Sequence, residues 1–206
     1  MLNHIDTSRV QFSGAEVNES YRFANTLLGG YSSEKVTPIM NHNHGSYTWT
    51  KPHGGVWLAT LDSNGNDSWN NLINGDFEDD SEYVRTELKF TDLARVAVVN
   101  GRSGYLSLLD AYPFYPELYV NPLSTVKGWD TAGSGINADN TVRRNINFEK
   151  MSQDFDALFA TRRGLEANGC DGDYFRSSLG TDVTLYMWDI ESAIVFTSSV
   201  LQIVTK

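Results

Sequence analysis

Short strand-like runs separated by turn residues dominate this chain and outnumber convincing amphipathic helices. The clearest is Tyr83–Phe90, in which apolar and polar residues alternate as in a half-buried strand. Residues 54–60 have the pattern of a glycine turn entering a strand, and residues 94–100 that of a more buried strand. The pattern predicts an α+β fold.

The length of 206 residues suits a single domain, residues 1–206. Residues 112–140 are rich in Pro, Gly, Asn and Tyr and show no period, which predicts a loop insertion. Further strands are predicted at 19–24, 156–161, 184–196 and 201–204, and helical segments at 68–73, 103–109 and 148–155.

The composition is acidic, since 26 Asp and Glu against 16 Lys and Arg give a net charge of -10. Sequence-independent binding to a phosphate backbone needs clustered Lys and Arg, so the charge argues against it. An acidic chain could instead imitate nucleic acid, although the charge also serves solubility. The single cysteine, Cys170, excludes an internal disulfide and fits a reducing cytoplasm. No run approaches the roughly 20 apolar residues that span a bilayer, so we expect a cytoplasmic protein without membrane contact.

Two acids, Asp189 and Glu191, lie within the strand-like run 184–196. In an extended strand residues i and i+2 share a face, so both carboxylates would project among apolar side chains. Desolvation and like-charge repulsion would raise at least one pKa, and such pairs persist where they hydrogen-bond, bind a ligand or do chemistry. A structural role stays open, with Asp189 as a helix N-cap or both acids at a solvated sheet edge.

The stretch 51–60, Lys-Pro-His-Gly-Gly-Val-Trp-Leu-Ala-Thr, is a second candidate. The paired Gly54 and Gly55 let the backbone approach a ligand closely, and their N–H groups can hold anionic oxygens. Trp57 could offer a flat face for stacking. The alternative is a tight turn followed by a core tryptophan.

Metal and nucleophile chemistry have weaker support. His42 and His44 could bind Zn or Fe with Asp189 or Glu191, but histidines in a polar loop more often form hydrogen bonds, so we predict no metal. The chain lacks the Gly-x-Ser-x-Gly and Ser-x-x-Lys motifs, and the glycines at 133–135 lack the Lys-Ser/Thr of a P-loop. These hydrolases, kinases and dinucleotide-fold dehydrogenases are therefore disfavoured.

Three motifs follow one another along the chain: Tyr-Arg-Phe at 21–23, the 51–60 stretch, and Leu-Tyr-Met-Trp-Asp-Ile-Glu-Ser at 185–192. Together they resemble a family of phage and bacterial proteins that usually have Lys-Pro-x-Gly-Gly-Leu-Trp in the middle and Trp-Asp-Cys-Asp/Glu-Ser near the end. The order of an early Arg, a Gly-x-aromatic strand and a late Glu is similar to that of the ADP-ribosyltransferase superfamily.

The resemblance implies an ADP-ribosyltransferase-like split antiparallel β-sandwich with peripheral helices, which uses NAD as substrate. Arg22 would anchor the NAD ribose or phosphate, and the backbone at Gly54 and Gly55 would hold the nicotinamide side. Glu191 would stabilise the charge that develops as nicotinamide leaves. Asp189 would orient the Glu191 carboxylate or act as the base for the acceptor. The remaining implied NAD-binding residues are Lys51, His53, Trp57, as the stacking aromatic, and Thr60.

The implied activity is transfer of ADP-ribose to a host protein or nucleic acid inside a bacterial cell, and an NAD hydrolase would share the site. The element His44-Gly45-Ser46 resembles the start of a poly-ADP-ribose polymerase site, but it lies too close to Gly54, so Arg22 is preferred. The rival from another class is a non-enzymatic acidic binder that inhibits a host defence or nucleic-acid-binding protein through a charged face such as the run 76–82.

Overall fold

The computed structural model describes residues 10–28, 30–41, 51–67, 69, 83–114, 145–167, 175–176, 182–183, 188 and 190–204. This part of the chain is a mixed α+β fold with one large curled sheet and few helices, which confirms the predicted class. None of the helices described has the length and apolar content needed to cross a bilayer. The large sheet contains β1 (Gln11–Ser13), β2 (Phe23–Leu28), β3 (Val56–Thr60), β4 (Tyr83–Phe90), β5 (Arg95–Val99), β8 (Ala157–Ala160), β11 (Ser192–Val195) and β12 (Leu201–Ile203).

Two small antiparallel strand pairs and four helices complete the described structure. The pairs are β6 (Pro113–Phe114) with β7 (Asn145–Ile146), and β9 (Phe175–Arg176) with β10 (Asp182–Val183). The helices are α1 (Gly14–Ser20), α2 (Arg102–Ala111), α3 (Phe148–Met151) and α4 (Arg162–Ala167), with 3-10 turns at Ser33–Lys35 and Ser198–Val200.

The strand order in the large sheet is β1-β5-β8-β11-β3-β2-β4-β12. All neighbours are antiparallel except β5 and β8, which run parallel. The antiparallel arrangement that the resemblance implied therefore does not extend to this pair. Parallel strands need a long crossover, and the chain between β5 and β8 contains α2 and α3.

The sheet separates two apolar clusters because successive strand residues point to opposite faces. In β8, Leu158 and Ala160 join the cluster that packs under α2, α3 and α4, which we call the helical-side cluster. Ala157 and Phe159 join the opposite cluster, which includes Phe23 and Val17 of α1. Both faces of β8 and β11 are buried, so these strands form the centre of the fold.

β2 and β3 pair only at one end. Their register covers Phe23 opposite Thr60 and Ala24 opposite Ala59, although β2 continues to Leu28. Over its whole length β2 stays paired with β4, while β3 stays paired with β11. Because β2 remains aligned with β4 and β3 remains aligned with β11, β2 and β3 separate beyond Ala24.

One predicted strand begins later than its sequence pattern indicated, and another is described as a strand only from Ser192 onward. Residues 19–20, predicted as the start of a strand, are the last two residues of α1, and β2 begins at Phe23. The N-terminus of α1 is stabilised by a capping box that Ser13 and Glu16 form. In the late run the described strand starts at Ser192, so Glu191 precedes it. Asp189 and residues 184–187 lie outside the described residues, as do 115–140, 70–73 and the acidic run 76–82.

Candidate functional site

A cleft opens where β2 and β3 part. Its volume is about 280 Å³. Its walls come from three consecutive residues of β2, from one residue of β3 and from the segments before and after β3: Asn25, Thr26, Leu27, Lys51, Trp57 and Trp69. Consecutive residues of a strand point to opposite faces of the sheet. Because three consecutive β2 residues line the cleft, it is a gap between two strands and not a groove on one face.

Lys51 and two tryptophans form the charged part of the cleft. Lys51 Nζ lies 5.5 Å from the ring centroid of Trp57 and 5.9 Å from that of Trp69. At these distances both rings attract the ammonium group. Trp57 also packs against Trp188, with ring centroids 4.8 Å apart and planes at 64°. The cleft thus places a positive charge beside flat apolar surfaces, which suits a planar ligand that carries an anionic group.

The Asn25 side chain contributes a polar group with a fixed orientation. The residue is only 3% exposed, and its Nδ2 donates to the carbonyl oxygen of Trp57 at 2.8 Å. A carbonyl oxygen only accepts, so this bond establishes which amide atom is the nitrogen. Oδ1 is buried and has no hydrogen-bond partner among the described residues. Leaving a buried acceptor unpaired costs about 1–3 kcal/mol, so Asn25 Oδ1 locally destabilises the fold.

Thr26 joins the cleft wall to a buried carboxylate. Its Oγ1 donates to Asp67 Oδ2 at 3.2 Å, and Asp67 is 0% exposed. Asp67 also forms a β-bridge with Leu61, and the nearby Gly65 carbonyl accepts a hydrogen bond from Arg85 of β4. The loop after β3 is therefore fastened to β2 and β4 beside the cleft.

Glu191 lies at the other end of β3 and connects β3 to α4. Its Oε2 accepts a hydrogen bond from Thr60 Oγ1 at 3.0 Å, and its Oε1 accepts from the Arg162 backbone N–H at 2.9 Å. Arg162 is the first residue of α4, where backbone N–H groups lack intrahelical partners and a negative charge is favourable. These contacts give Glu191 a structural role in the fold.

Tyr21 is the titratable neighbour of Glu191. Its ring packs edge-on against Phe159, with ring centroids 4.7 Å apart. Burial, and to a lesser extent the charge of Glu191, raise the pKa of the Tyr21 hydroxyl above its ordinary value. The hydroxyl therefore stays protonated at neutral pH.

The predicted catalytic acid and the predicted stacking aromatic lie on opposite faces of the sheet. Trp57 packs against the helical-side cluster, whereas its neighbours Val56 and Leu58 belong to the other cluster. Thr60 shares the face of Val56 and Leu58, and Glu191 is hydrogen-bonded to Thr60. Trp57 is also three residues from Thr60, which is roughly 10 Å along an extended strand. The structure thus pairs Lys51 with Trp57 and Thr60 with Glu191, and it separates the two pairs.

Arg22 is engaged by a carboxylate of the protein. Its Nη2 lies 2.9 Å from Glu87 Oε1, and its Nε donates to the same oxygen at 3.0 Å. Its neighbours Tyr21 and Phe23 pack on the Glu191 side of the sheet, so alternation directs Arg22 to the opposite side. Its side chain is half exposed, at 53%. Arg22 is therefore not grouped with Glu191.

Gly54 and Gly55 form the tight turn that leads into β3. Their φ angles are 77° and 67°, which favour glycine. The Gly55 N–H donates to the Thr37 carbonyl at 2.9 Å, and His53 pairs with Met40 in a β-bridge. In this structure the two glycines make a tight turn whose backbone closely approaches the chain at Thr37 and Pro38.

Other predicted ligand groups are not described. His42, His44 and Asp189 lie outside the described residues, and those that are described include no group of three His, Cys, Asp or Glu placed to hold a metal ion. The comparisons with known proteins are negative: no protein-family model, no curated protein and no solved structure matches this chain.

Sequence reasoning found two of the six cleft residues, Lys51 and Trp57, and missed the other four: Asn25, Thr26, Leu27 and Trp69. Trp69 stands in a predicted helical segment, and no binding role was assigned to it. An asparagine in the middle of the strand Phe-Ala-Asn-Thr-Leu-Leu was the available signal for Asn25, because asparagine is depleted in strands.

Proposed function

We propose that this protein binds a nucleotide in the cleft between β2 and β3, with NAD as the first candidate. The observation that carries the proposal is the closeness of the Lys51 ammonium group to two indole rings, 5.5 Å from the Trp57 centroid and 5.9 Å from the Trp69 centroid. The indoles offer stacking surface for a base, and the ammonium offers a partner for a phosphate.

The cleft volume limits which part of a ligand is enclosed. A volume of about 280 Å³ lies just below the ~300–1,000 Å³ that is typical of ligand pockets. That size suits a mononucleotide or one half of a dinucleotide. We therefore propose that one half of NAD would enter the cleft and that the other half would lie outside it.

The reaction implied by the sequence resemblance, transfer of ADP-ribose from NAD to a host macromolecule, stays a prediction. Its proposed acid, Glu191, is hydrogen-bonded to Thr60 and to the start of α4, on the face opposite Trp57. The cleft residues themselves supply binding groups: an ammonium, an amide, a hydroxyl and two indoles. Nucleotide binding is accordingly the function that the geometry supports best.

Calorimetric titration of the full chain with NAD, AMP and nicotinamide mononucleotide tests the binding proposal. We expect the wild-type protein to bind at least one of these nucleotides and Lys51→Met to bind it about tenfold or more weakly, because a charge-assisted contact to phosphate is lost. Lys89→Met is the matched control, since Lys89 is an exposed lysine of β4 that does not line the cleft. The proposal is rejected if the wild type and Lys51→Met bind with equal affinity, or if none of the three nucleotides binds to the wild type.

The transferase prediction needs its own measurement. The protein is incubated with NAD, and nicotinamide release is compared among the wild type, Glu191→Gln and Arg22→Ala. If turnover is the same in all three, Glu191 and Arg22 have no role in the reaction. If NAD binds but no nicotinamide is released with any acceptor, the protein is a nucleotide-binding module.

A further inference from the structure

We infer that Trp188 is a positioning residue of the cleft, which holds the Trp57 ring in the orientation in which a nucleotide base stacks on it. This inference rests on the proposed nucleotide binding and adds to it the means by which the base is recognised. Trp188 is 1% exposed and does not line the cleft, so it acts through Trp57 and not on the ligand.

The Trp57 ring borders the cleft. Trp57 is half-buried and is one of the residues that line this gap. The ammonium group of Lys51, another lining residue, lies 5.5 Å from the centroid of the Trp57 ring. The ring of Trp57, and not only its backbone, therefore lies at the cleft and can offer its flat surface to a base.

Trp57 is held at two points. Its carbonyl oxygen accepts a hydrogen bond from Asn25 Nδ2 at 2.8 Å, which fixes its backbone but does not restrict rotation about the side-chain bonds. Its ring packs against Trp188, with ring centroids 4.8 Å apart and planes at 64°. Trp188 belongs to the close-packed helical-side cluster, so its own ring has little room to move. The contact with Trp188 is therefore the one that restrains the Trp57 ring.

This restraint matters for affinity. A side chain that is already ordered in the free protein loses little rotamer freedom when a ligand binds. Without the Trp188 ring, a cavity would lie beside Trp57 and the indole could turn into it. The base would then have to order the ring before stacking on it, which we expect to weaken binding of the base about threefold to tenfold. Lys51 also lies 5.9 Å from the Trp69 ring, so its ammonium group keeps an aromatic partner and remains able to bind phosphate.

A ligand without a base separates stacking from phosphate binding. AMP and nicotinamide mononucleotide are each compared with ribose 5-phosphate, which has the same sugar and phosphate and no base. Stacking of a base on an aromatic side chain increases affinity about tenfold to a hundredfold. We expect the wild type to prefer at least one of the two mononucleotides over ribose 5-phosphate by a factor in that range. Calorimetry with the full chain gives each affinity.

Two substitutions of Trp188 test its role. In Trp188→Leu we expect the preference to fall about threefold to tenfold, while the affinity for ribose 5-phosphate changes less than about twofold. Trp188→Phe keeps a smaller ring that can still pack edge-on, so the preference should fall only about twofold. Phe155→Leu is the matched control. Phe155 is a buried aromatic residue of the same cluster that packs against Tyr112, so its loss should destabilise the core and leave the preference unchanged.

The results that would overturn the role of Trp188 differ from those that would reject nucleotide binding. The role is overturned if Trp188→Leu keeps the wild-type preference, or if Phe155→Leu reduces the preference as much. If Trp188→Leu does not fold, an unchanged preference in Trp188→Phe has the same meaning. A wild type that binds neither mononucleotide more tightly than ribose 5-phosphate overturns the role without any variant. In each of these cases nucleotide binding through Lys51 would stand, whereas absence of binding by every nucleotide would overturn both proposals.

Discussion

Glu191 shows at the scale of one residue how a pattern that indicates chemistry can have a structural cause. Its carboxylate accepts hydrogen bonds from Thr60 Oγ1 and from the Arg162 N–H, which ties the end of β3 to the start of α4. Sequence spacing identified the acid as unusual but could not predict these donors. They come from segments 131 and 29 residues away along the chain.

Substitution of Glu191 measures this role directly. Glu191→Ala removes both hydrogen bonds and the charge at the helix N-terminus, and we expect it to lower the free energy of unfolding by about 1–3 kcal/mol. Glu191→Gln keeps an acceptor oxygen and should cost less, about 0.5–1 kcal/mol. Urea unfolding followed by circular dichroism gives both values. Equal stability of Glu191→Ala and wild type would contradict the structural role.

At the scale of secondary-structure elements, local patterns predicted several strands of the large sheet. β4, β5 and β8 lie where the sequence pattern predicted strands. Their buried faces appear in the sequence as alternating or continuous apolar residues, so the local pattern was sufficient. The register could not be predicted in the same way. Beyond Ala24, β2 stays paired with β4 and β3 with β11, and the Asn25 side chain bridges the gap between them to the Trp57 carbonyl.

The turn before β3 offers a matched pair of glycine substitutions. Gly54 and Gly65 have nearly the same φ, 77° and 79°, but a Cβ at Gly54 would overlap the Pro38 carbonyl, while one at Gly65 meets nothing within 4 Å. We expect Gly65→Ala to cost about 1 kcal/mol from backbone strain alone, and Gly54→Ala to cost at least about 2 kcal/mol more. Thermal and urea unfolding of the two variants measure the difference. Similar losses in both would show that the turn can shift away from Pro38.

At the scale of the whole molecule, the sheet order was beyond sequence reasoning. β5 and β8 are parallel neighbours, although 57 residues separate the end of one from the start of the other. Pairing over such distances is decided by how both faces of the sheet are buried together. Local periodicity reports only that a strand has a buried face.

Stability at alkaline pH is another property of the whole molecule. Burial raises the pKa of Tyr21, of Tyr31 and most strongly of Tyr112, whose hydroxyl also donates to Asp154 at 2.8 Å. A raised folded-state pKa means that this stabilisation is complete below the unfolded value of about 10 and is lost as the pH rises toward the folded value. Each such group lowers the free energy of unfolding by at most about 1.4 kcal/mol per pH unit in that range.

Tyr112→Phe removes the largest of these contributions. We expect the variant to be less stable than the wild type at pH 8 by about 0.5–1.5 kcal/mol, because the hydrogen bond to Asp154 is lost. Between about pH 10 and 12 the gap should close, since the variant has one fewer phenol to ionise on unfolding. Urea midpoints across this range test the sign, and a gap that stays constant with pH would contradict the effect of burial on Tyr112.

The limited pairing of β2 with β3 implies a trade-off that any effort to stabilise this protein would meet. A substitution that filled the space between the strands, or that gave Asn25 Oδ1 an internal donor, would remove a known energetic defect and should strengthen the fold. A change that filled this space would occupy the volume that we assign to the ligand. Thermostable variants selected without regard to binding should therefore tend to accumulate changes around Asn25 and Trp57 and to lose nucleotide affinity as their melting temperature rises.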